Sequence, residues 1–329
     1  MGSKAKLLPA IHSVVAKLDF DTAIDAFSGS GAVSYLFKSM GKRVIANDHM
    51  HMCSQFALAT IENSSETLSD AQVERLLDTA GVNETFVQDT FKGLYFSDED
   101  NRTIDAVRAN ARRLRSPVAR ALAVSSLIRA CVKRRPRGVF TYTGDRYDDG
   151  RQDLRKSIAE HFRAAVAVLN ASVFDNGKSN QARNGDVLSL RARRRALVYL
   201  DPPYYTPKSD SEYVRRYHFV EGLARNWRGV TIQAHTQTKK FKSYPTPFST
   251  RQGAADAFDK LFKRFSAAAI VVSYSSNAQP GLEEMLDLLR RHKRRVEVVP
   301  VAHRYSFGNQ GHKVGNNRNA VDEYLFVGA

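Results

Sequence analysis

The sequence predicts an α/β protein built on a mostly parallel, doubly wound sheet with a helical insertion, and three observations carry that expectation. Strand–helix alternation opens the chain: Ala23-Ile24-Asp25-Ala26-Phe27 precedes a helix from Ala32 to Met40, and Lys42-Arg43-Val44-Ile45-Ala46-Asn47-Asp48 precedes a helix over roughly 49–62. The apolar, β-prone run Ala196-Leu197-Val198-Tyr199-Leu200 reads as a strand buried on both faces. From about 63 to 150 the alternation breaks into Ala/Arg-rich stretches of helical period.

Composition narrows the class. The 329 residues suffice to bury a large core, and 43% hydrophobic with 26% charged residues is the balance of a soluble globular protein. No stretch approaches the ~20 apolar residues of a membrane span, and the N-terminus shows neither an h-region nor a cleavage site, so an intracellular protein is expected. Cys53 and Cys131 have no CxxC partner and are expected to be packing residues. His49 and His51 lack a Cys or acid pair in register, so no metal is expected. Fifty Lys+Arg against 34 Asp+Glu leave a net charge of +16, which favours a polyanionic partner, nucleic acid ahead of an anionic membrane.

In chain order, residues 3–18 place apolar side chains at helical spacing, and helices follow near 66–80, 98–114 and 116–132. Lys133-Arg134-Arg135-Pro136-Arg137-Gly138 then leads into Val139-Phe140-Thr141-Tyr142-Thr143, read as a basic hairpin near 133–147 that could enter a DNA groove, or else a solvated basic loop. A helix near 151–169 precedes Ser172-Val173-Phe174, and Asn184-Gly185-Asp186 comes before the central strand. Beyond it, 213–226 reads as helix, 229–253 as a loop carrying Lys239, Lys240 and Lys242, and 254–265 as helix. Strands at 267–274, 295–301 and 323–327, with a helix at 281–291, complete the sheet; the polar stretch 303–320 is too hydrophilic for a core.

The chemistry concentrates at strand ends. Asp201-Pro202-Pro203-Tyr204 follows the central strand, and its prolines forbid further ladder pairing, so the chain turns where ligands bind in open α/β sheets. Asp201 and the Pro202 carbonyl are acceptors for the two hydrogens of an exocyclic amine, and Tyr204 offers a ring on which a planar base can stack. Ser28-Gly29-Ser30-Gly31 lets the backbone approach a ligand closely, although the full GxGxxG fingerprint is not met. Asp48 can accept ribose hydroxyls or cap the helix that starts at His49. Arg191, Arg193, Arg194 and Arg195 lie at the wrong end of the central strand for the cleft and read as a solvated face.

Asp25-Ala26-Phe27-Ser28-Gly29-Ser30-Gly31 and Asp201-Pro202-Pro203-Tyr204, in that order around a long helical insert, resemble the alpha-group, Dam-like N6-adenine DNA methyltransferases. Gly2-Ser3-Lys4-Ala5-Lys6-Leu7-Leu8-Pro9, Asn184-Gly185-Asp186, Ser273-Tyr274-Ser275-Ser276-Asn277 and Glu323-Tyr324-Leu325-Phe326 resemble further motifs of that family. The resemblance implies a class I S-adenosylmethionine-dependent methyltransferase fold, Rossmann-like with seven strands. It implies catalytic Asp201, Pro202, Pro203 and Tyr204, and a cofactor held by Lys4, Lys6, Asp25, Phe27, Ser28, Gly29, Gly31, Asp48 and Asp186. Residues 1–63 and 151–329 would form the catalytic domain and 64–150 a target-recognition insertion, with Lys133, Arg134, Arg135, Arg137, Lys239, Lys240 and Lys242 on double-stranded DNA. The adenine would be flipped out at a cost of a few kcal/mol. A bacterial or phage cytoplasmic enzyme is implied, with a restriction endonuclease acting on the same site, without stable complex, as a candidate companion. Alternatives are an N4-cytosine or RNA adenine methyltransferase, for the former of which Ser would more often replace Asp201, a glutamine-amide methyltransferase, a non-catalytic DNA-binding protein of the same fold, and a nicotinamide-dependent redox enzyme.

Overall fold

Seven strands form one sheet: β1 (Thr22–Asp25), β2 (Arg43–Asp48), β3 (Gln181–Asn184), β4 (Ala196–Leu200), β5 (Ala269–Ser275), β6 (Val296–Arg304) and β7 (Ala320–Gly328). The computed structural model describes residues 4–144, 148, 150–206, 213–304 and 320–329. Gly2, Ser3, the far end of the expected hairpin and most of the polar stretch 303–320 lie outside the described residues. Strand order is β3-β2-β1-β4-β5-β7-β6, with β1, β2, β3, β4 and β5 paired in parallel and β7 antiparallel to both neighbours. This is the mostly parallel seven-stranded sheet expected of a class I methyltransferase. The strand order reverses between β1 and β4, where Asp25 pairs with Tyr199, so a ligand crevice is expected beyond these two strands.

The helices are α1 (Leu8–Val15), α2 (Ala32–Ser39), α3 (His51–Ala57), α4 (Asp70–Leu77), α5 (Phe86–Thr90), α6 (Asp98–Arg112), α7 (Pro117–Arg134), α8 (Ile158–Ala171), α9 (Tyr213–Ala224), α10 (Arg251–Arg264) and α11 (Leu282–Arg290). Hydroxyl caps start several of them: Ser69 and Ser157 form capping boxes with Gln72 and Glu160, and Ser97, Ser116 and Thr250 each accept a first-turn N–H. Residues 4–7 form a 3-10 turn ahead of α1, shortening the helix expected over 3–18.

Contacts divide the chain into two units. One, which we call the sheet unit, comprises 2–49, 176–212 and 245–329. Its core forms because β4 alternates: Ala196, Val198 and Leu200 pack with Phe258, Leu261 and Phe262 of α10 and Met285 and Leu289 of α11. Tyr199, on the opposite face, meets Phe37 of α2 edge-on with ring centroids 6.2 Å apart. The other, the helical unit, comprises 50–175 and 213–244. Its core joins Met52 and Phe56 of α3, Ile104 and Val107 of α6, Leu122 and Ile128 of α7, Phe162 and Val166 of α8, and Phe219 and Val220 of α9.

Three expectations are corrected. The helical unit is wider than 64–150, because α3, α8, α9 and the loop after α9 bury their apolar faces among α6 and α7. Gln181–Asn184 forms a strand where none is read from the sequence, and it lies exposed at the sheet edge, held by backbone pairing to β2 rather than by apolar side chains. No strand forms over 133–144. There α7 continues to Arg134, and Arg137 (φ 55) and Gly138 (φ 65) turn the chain through the left-handed region. The buried Arg135 guanidinium then donates to the carbonyls of Tyr95 (3.4 Å), Tyr142 (2.9 Å) and Gly144 (3.2 Å). Acceptors that a hairpin would offer a partner strand are thus spent on one arginine.

Candidate active site

The site lies in the sheet unit, beyond the ends of β1 and β4, and is lined by Lys4, Asp25, Phe27, Ser28, Gly29, Ser30, Ala32, Val33, Tyr199 and Asp201. The glycine loop gives it a backbone wall. Gly29 (φ 52) and Gly31 (φ 81) adopt left-handed conformations that L side chains rarely take, and Gly31 is the N-cap of α2. Asp48, ending β2, accepts from the Gly29 N–H at 2.9 Å, so it braces the loop. Capping of α3, the other role open to Asp48, falls instead to Glu221, whose carboxylate accepts from the N–H groups of His51 and Met52 at 2.9 Å. Phe27 packs edge-on against Phe248 at 5.7 Å.

Asp25 is almost fully buried. Its Oδ2 accepts from Ser34 Oγ at 2.6 Å, while Oδ1 is buried with no side-chain partner among the described residues. Burial, opposed by hydrogen bonding from Ser34 and the Phe27 backbone and reinforced by the negative charges of Asp201 and Asp48, pushes its carboxyl up to about 7. An unpartnered buried carboxylate oxygen is costly unless a donor or cation completes it.

Asp201 follows β4 directly and Pro202 is buried behind it. Asp201 Oδ1 pairs with Lys4 Nζ at 3.2 Å and accepts from Tyr204 Oη at 2.9 Å. Lys4 also bonds Tyr204 Oη and Glu323, and its ammonium lies 4.8 Å from the centre of the Tyr204 ring. Glu323, fully buried on β7, contacts Tyr204 Oη at 2.6 Å and accepts from Ser273 Oγ at 2.8 Å. The Tyr204 ring packs edge-on against Tyr274 at 4.9 Å. Burial lifts the Asp201 carboxyl to about 6, with Lys4 pulling down and Glu323 pushing up. Burial alone would depress the Lys4 ammonium, but Asp201 and Glu323 outweigh it and hold it above its ordinary value.

Sequence reasoning missed Glu323, Ser273, Tyr199 and Tyr274 as neighbours of the site. The available signal was Glu323 itself, an acid opening the apolar run Tyr324-Leu325-Phe326-Val327. Four expected cofactor residues are not in the pocket lining: Gly31 and Asp48, which shape and brace the glycine loop, and Lys6 and Asp186. Lys6 is exposed on the turn before α1, and Asp186 is exposed, its Oδ1 accepting from Leu188 N at 2.9 Å and shaping the turn after β3.

A family model for the D12 class N6 adenine-specific DNA methyltransferases matches residues 1–275. The chain belongs to this family. Among similar proteins, the Type II methyltransferase M2.HphI of Haemophilus parahaemolyticus is 28% identical over 342 residues, covering 99% of this chain and 96% of the relative. The modification methylases StsI of Streptococcus sanguinis and LlaI of Lactococcus lactis subsp. lactis are 24% and 25% identical over 88% of this chain, which spans about half of each (46% and 48%). The family match bears out the resemblance read from the two motifs: this D12 methyltransferase is an adenine-specific DNA methyltransferase.

The basic residues expected on DNA all fall in the helical unit of the D12 enzyme, in two segments that are tied together. Tyr95 Oη lies 3.1 Å from the Phe140 carbonyl, 2.6 Å from the Thr238 carbonyl and 3.1 Å from His218 Nε2. The second segment closes on itself through an Ile232–Phe241 bridge, with Gln233 N donating to the Lys240 carbonyl at 2.8 Å. A basic turn therefore exists at 232–241, and among the described residues 133–144 no strand forms. Lys133 and Lys242 are exposed and Lys240 half-buried, while Lys239 bonds the Ala234 carbonyl. Lys133 and Arg134 also face acids, Asp153 at 3.4 Å and Asp100 at 3.5 Å. Arg137 is half-buried, and Arg135, fully buried, is removed from the DNA-contact set.

Proposed function

We propose that this adenine-specific DNA methyltransferase binds S-adenosylmethionine in the pocket beyond β1 and β4, and that Asp201, Pro202, Pro203 and Tyr204 hold the target adenine there. One observation carries the reading: Asp25 and Asp201 line the pocket with Lys4, which is already shared between Asp201 and Glu323, while Asp25 feels the negative charges of Asp201 and Asp48 and its buried Oδ1 has no side-chain partner among the described residues. A ligand bearing an ammonium and a sulfonium fits that charge deficit. Asp25 takes the ammonium, the Gly29–Gly31 loop admits the methionine portion, and Asp48, already fixed by Gly29, faces the ribose. Phe27 and Ser28 complete the wall.

Bound in this way, S-adenosylmethionine supplies an electrophilic methyl group. Asp201, ionised near neutral pH with a carboxyl at about 6, accepts one hydrogen of the adenine amine, and the Pro202 carbonyl accepts the other. Those bonds localise the nitrogen lone pair toward the methyl group. Lys4 and Tyr204 hold the Asp201 carboxylate in place through Oδ1. The proton released after transfer can pass to Asp201. Stacking on Tyr204, worth roughly 1–3 kcal/mol, offsets much of the cost of extruding the base. Neither cysteine takes part; both are buried.

The helical unit is the target-recognition part of this proposal, with Lys133, Arg134, Arg137, Lys239, Lys240 and Lys242 on the duplex. No helix among the described residues is long and apolar enough to cross a membrane. A bacterial or phage cytoplasmic enzyme is the reading we favour, guarding sites cut by a separate restriction endonuclease, in line with relatives named modification methylases. The test is direct: incubate the protein with S-adenosylmethionine and unmethylated bacterial DNA, digest to nucleosides, and quantify N6-methyladenine by mass spectrometry. Asp201→Ala should make none while still binding the cofactor, and Asp25→Asn should bind it weakly. An active Asp201→Ala protein overturns the assignment.

A further inference from the structure

The sheet unit carries a second charged surface, at the opposite end of the strands from the pocket. Three connections lead into the starts of β4, β5 and β6: residues 190–195, 263–268 and 290–295. Register brings them together, since Leu197 pairs with Ala269, and Gly328 pairs with both Ile270 and Val296. Together they hold eleven Lys and Arg and no Asp or Glu.

Hydrogen bonds fix this crowd of like charges. Arg264 Nε donates to the Leu190 carbonyl at 2.6 Å, joining the first two connections. Lys293, buried, donates to the carbonyls of Phe265 (3.3 Å), Ser266 (2.8 Å) and Ala268, joining the second and third. Some of the charge is balanced locally. Arg195 faces Asp19 and Asp21, Arg290 faces Asp287, and Arg291 faces Asp259. Lys263, Arg264, Arg290 and Arg291 also close α10 and α11, where cations complement the helix dipole. Neither account reaches Arg191, Arg193, Arg194, Arg294 and Arg295, which precede strands, are exposed, and have no ion pair among the described residues. Self-repulsion of such a cluster disfavours the fold unless an anion meets it.

We propose that this face binds the phosphate backbone of a second DNA segment, separate from the duplex being methylated. Separation follows from geometry: the five-residue strand β4 divides Arg195 from Asp201, six steps of extended chain or roughly 20 Å at ~3.3 Å per step. Arginines on linked loops with fixed spacing suit repeated phosphates, and phosphate contacts of this kind hold DNA without reading its sequence. The protein is thereby held to its DNA polymer between turnovers.

The test compares the wild type with Arg191→Ala/Arg193→Ala/Arg194→Ala/Arg294→Ala/Arg295→Ala, using a 20-base-pair duplex of arbitrary sequence and plasmid DNA. At about 0.9 per phosphate contact, the slope of log affinity against log salt should fall by roughly 4 in the variant. Wild type should bridge donor- and acceptor-labelled duplexes and give energy transfer, and the variant should not. Methylation at saturating plasmid should be unchanged, and the thermal stability of the DNA-free protein should rise slightly as self-repulsion is relieved. An unchanged slope with bridging retained overturns the proposal and leaves the face to an acidic protein. Loss of turnover at saturating DNA also overturns it, because the arginines would then serve the methylated duplex. Should the five-fold variant fail to fold, Arg193→Gln/Arg294→Gln gives the same readouts with a slope change of roughly 2.

Discussion

Each unit of the chain buries a cation beside a carboxylate, and the two clusters settle their charge in different ways. In the helical unit, Arg108 pairs with Asp105 and donates to Asn226 Oδ1, while Asp105 also accepts from the N–H groups of Val87 and Gln88. One acid meets one base, and the arginine lies over the rings of Phe86 (5.3 Å) and Trp227 (5.1 Å). In the sheet unit, Lys4 serves both Asp201 and Glu323, Asp25 feels the negative charges of Asp201 and Asp48, and one buried Asp25 oxygen has no side-chain partner among the described residues. A balanced cluster holds the fold together. An unbalanced one stores unfavourable desolvation that a cationic ligand relieves, which is how a binding site differs from a structural ion pair of the same residue types.

That contrast breaks first at Asp201. Asp201→Asn should lower methyl transfer by at least ~10²-fold, the scale seen when one positioned polar group is lost from an active site, with little change in thermal stability. Nucleoside mass spectrometry beside a melting curve decides it, and a large stability loss with retained rate would reverse the contrast. Asp105→Ala should do the opposite. It strands the buried Arg108 and should cost about 3–5 kcal/mol in urea denaturation, while turnover of the folded fraction persists.

Asp25→Asn sharpens the comparison through pH. The folded Asp25 carboxyl, at about 7, lies above its ordinary 3.8. Its stabilising contribution is thus complete below pH ~4 and is lost as pH rises through about 7. The unliganded wild type should therefore lose stability across that window, and Asp25→Asn should lose less. Cofactor affinity should run the other way, tightening from pH 6 to 8 as the carboxylate ionises, and calorimetric titration showing no pH dependence would remove Asp25 from the ammonium site. In Asp25→Asn the affinity should fall by about 10–100-fold, as for loss of a charged hydrogen bond. The smallest effect is expected at the exposed Lys242, where Lys242→Ala should reduce the salt slope of DNA binding by about 1 without altering saturated turnover.

Much of the sheet unit was legible in the sequence because its signals are local. The Ala196–Leu200 run stops at two prolines, and the Ser28–Gly31 loop sits between a strand and a helix, so strand ends and the acids on them could be placed by counting. What failed was nonlocal. Gln181-Ala182-Arg183-Asn184 has no apolar alternation, since an exposed edge strand needs only backbone partners. Arg135 reads as surface charge within a basic run, and its burial depends on carbonyls of Tyr95, Tyr142 and Gly144 that only the folded chain collects. Glu323 reaches the site because β7 runs antiparallel between β5 and β6, a register that no stretch of sequence announces.

That last strand also sets a clock on biosynthesis. Lys4 and Glu323, bonded to each other beside Asp201, are 319 residues apart in the chain. At ~10 residues per second, roughly half a minute separates their synthesis, and β5 must wait with its edge open until β7 emerges from the ribosome. The nascent chain can finish the helical unit and still lack the carboxylate that anchors Lys4 and Tyr204. The cluster of Lys4, Asp201, Tyr204 and Glu323 is therefore complete only once β7 has paired with β5.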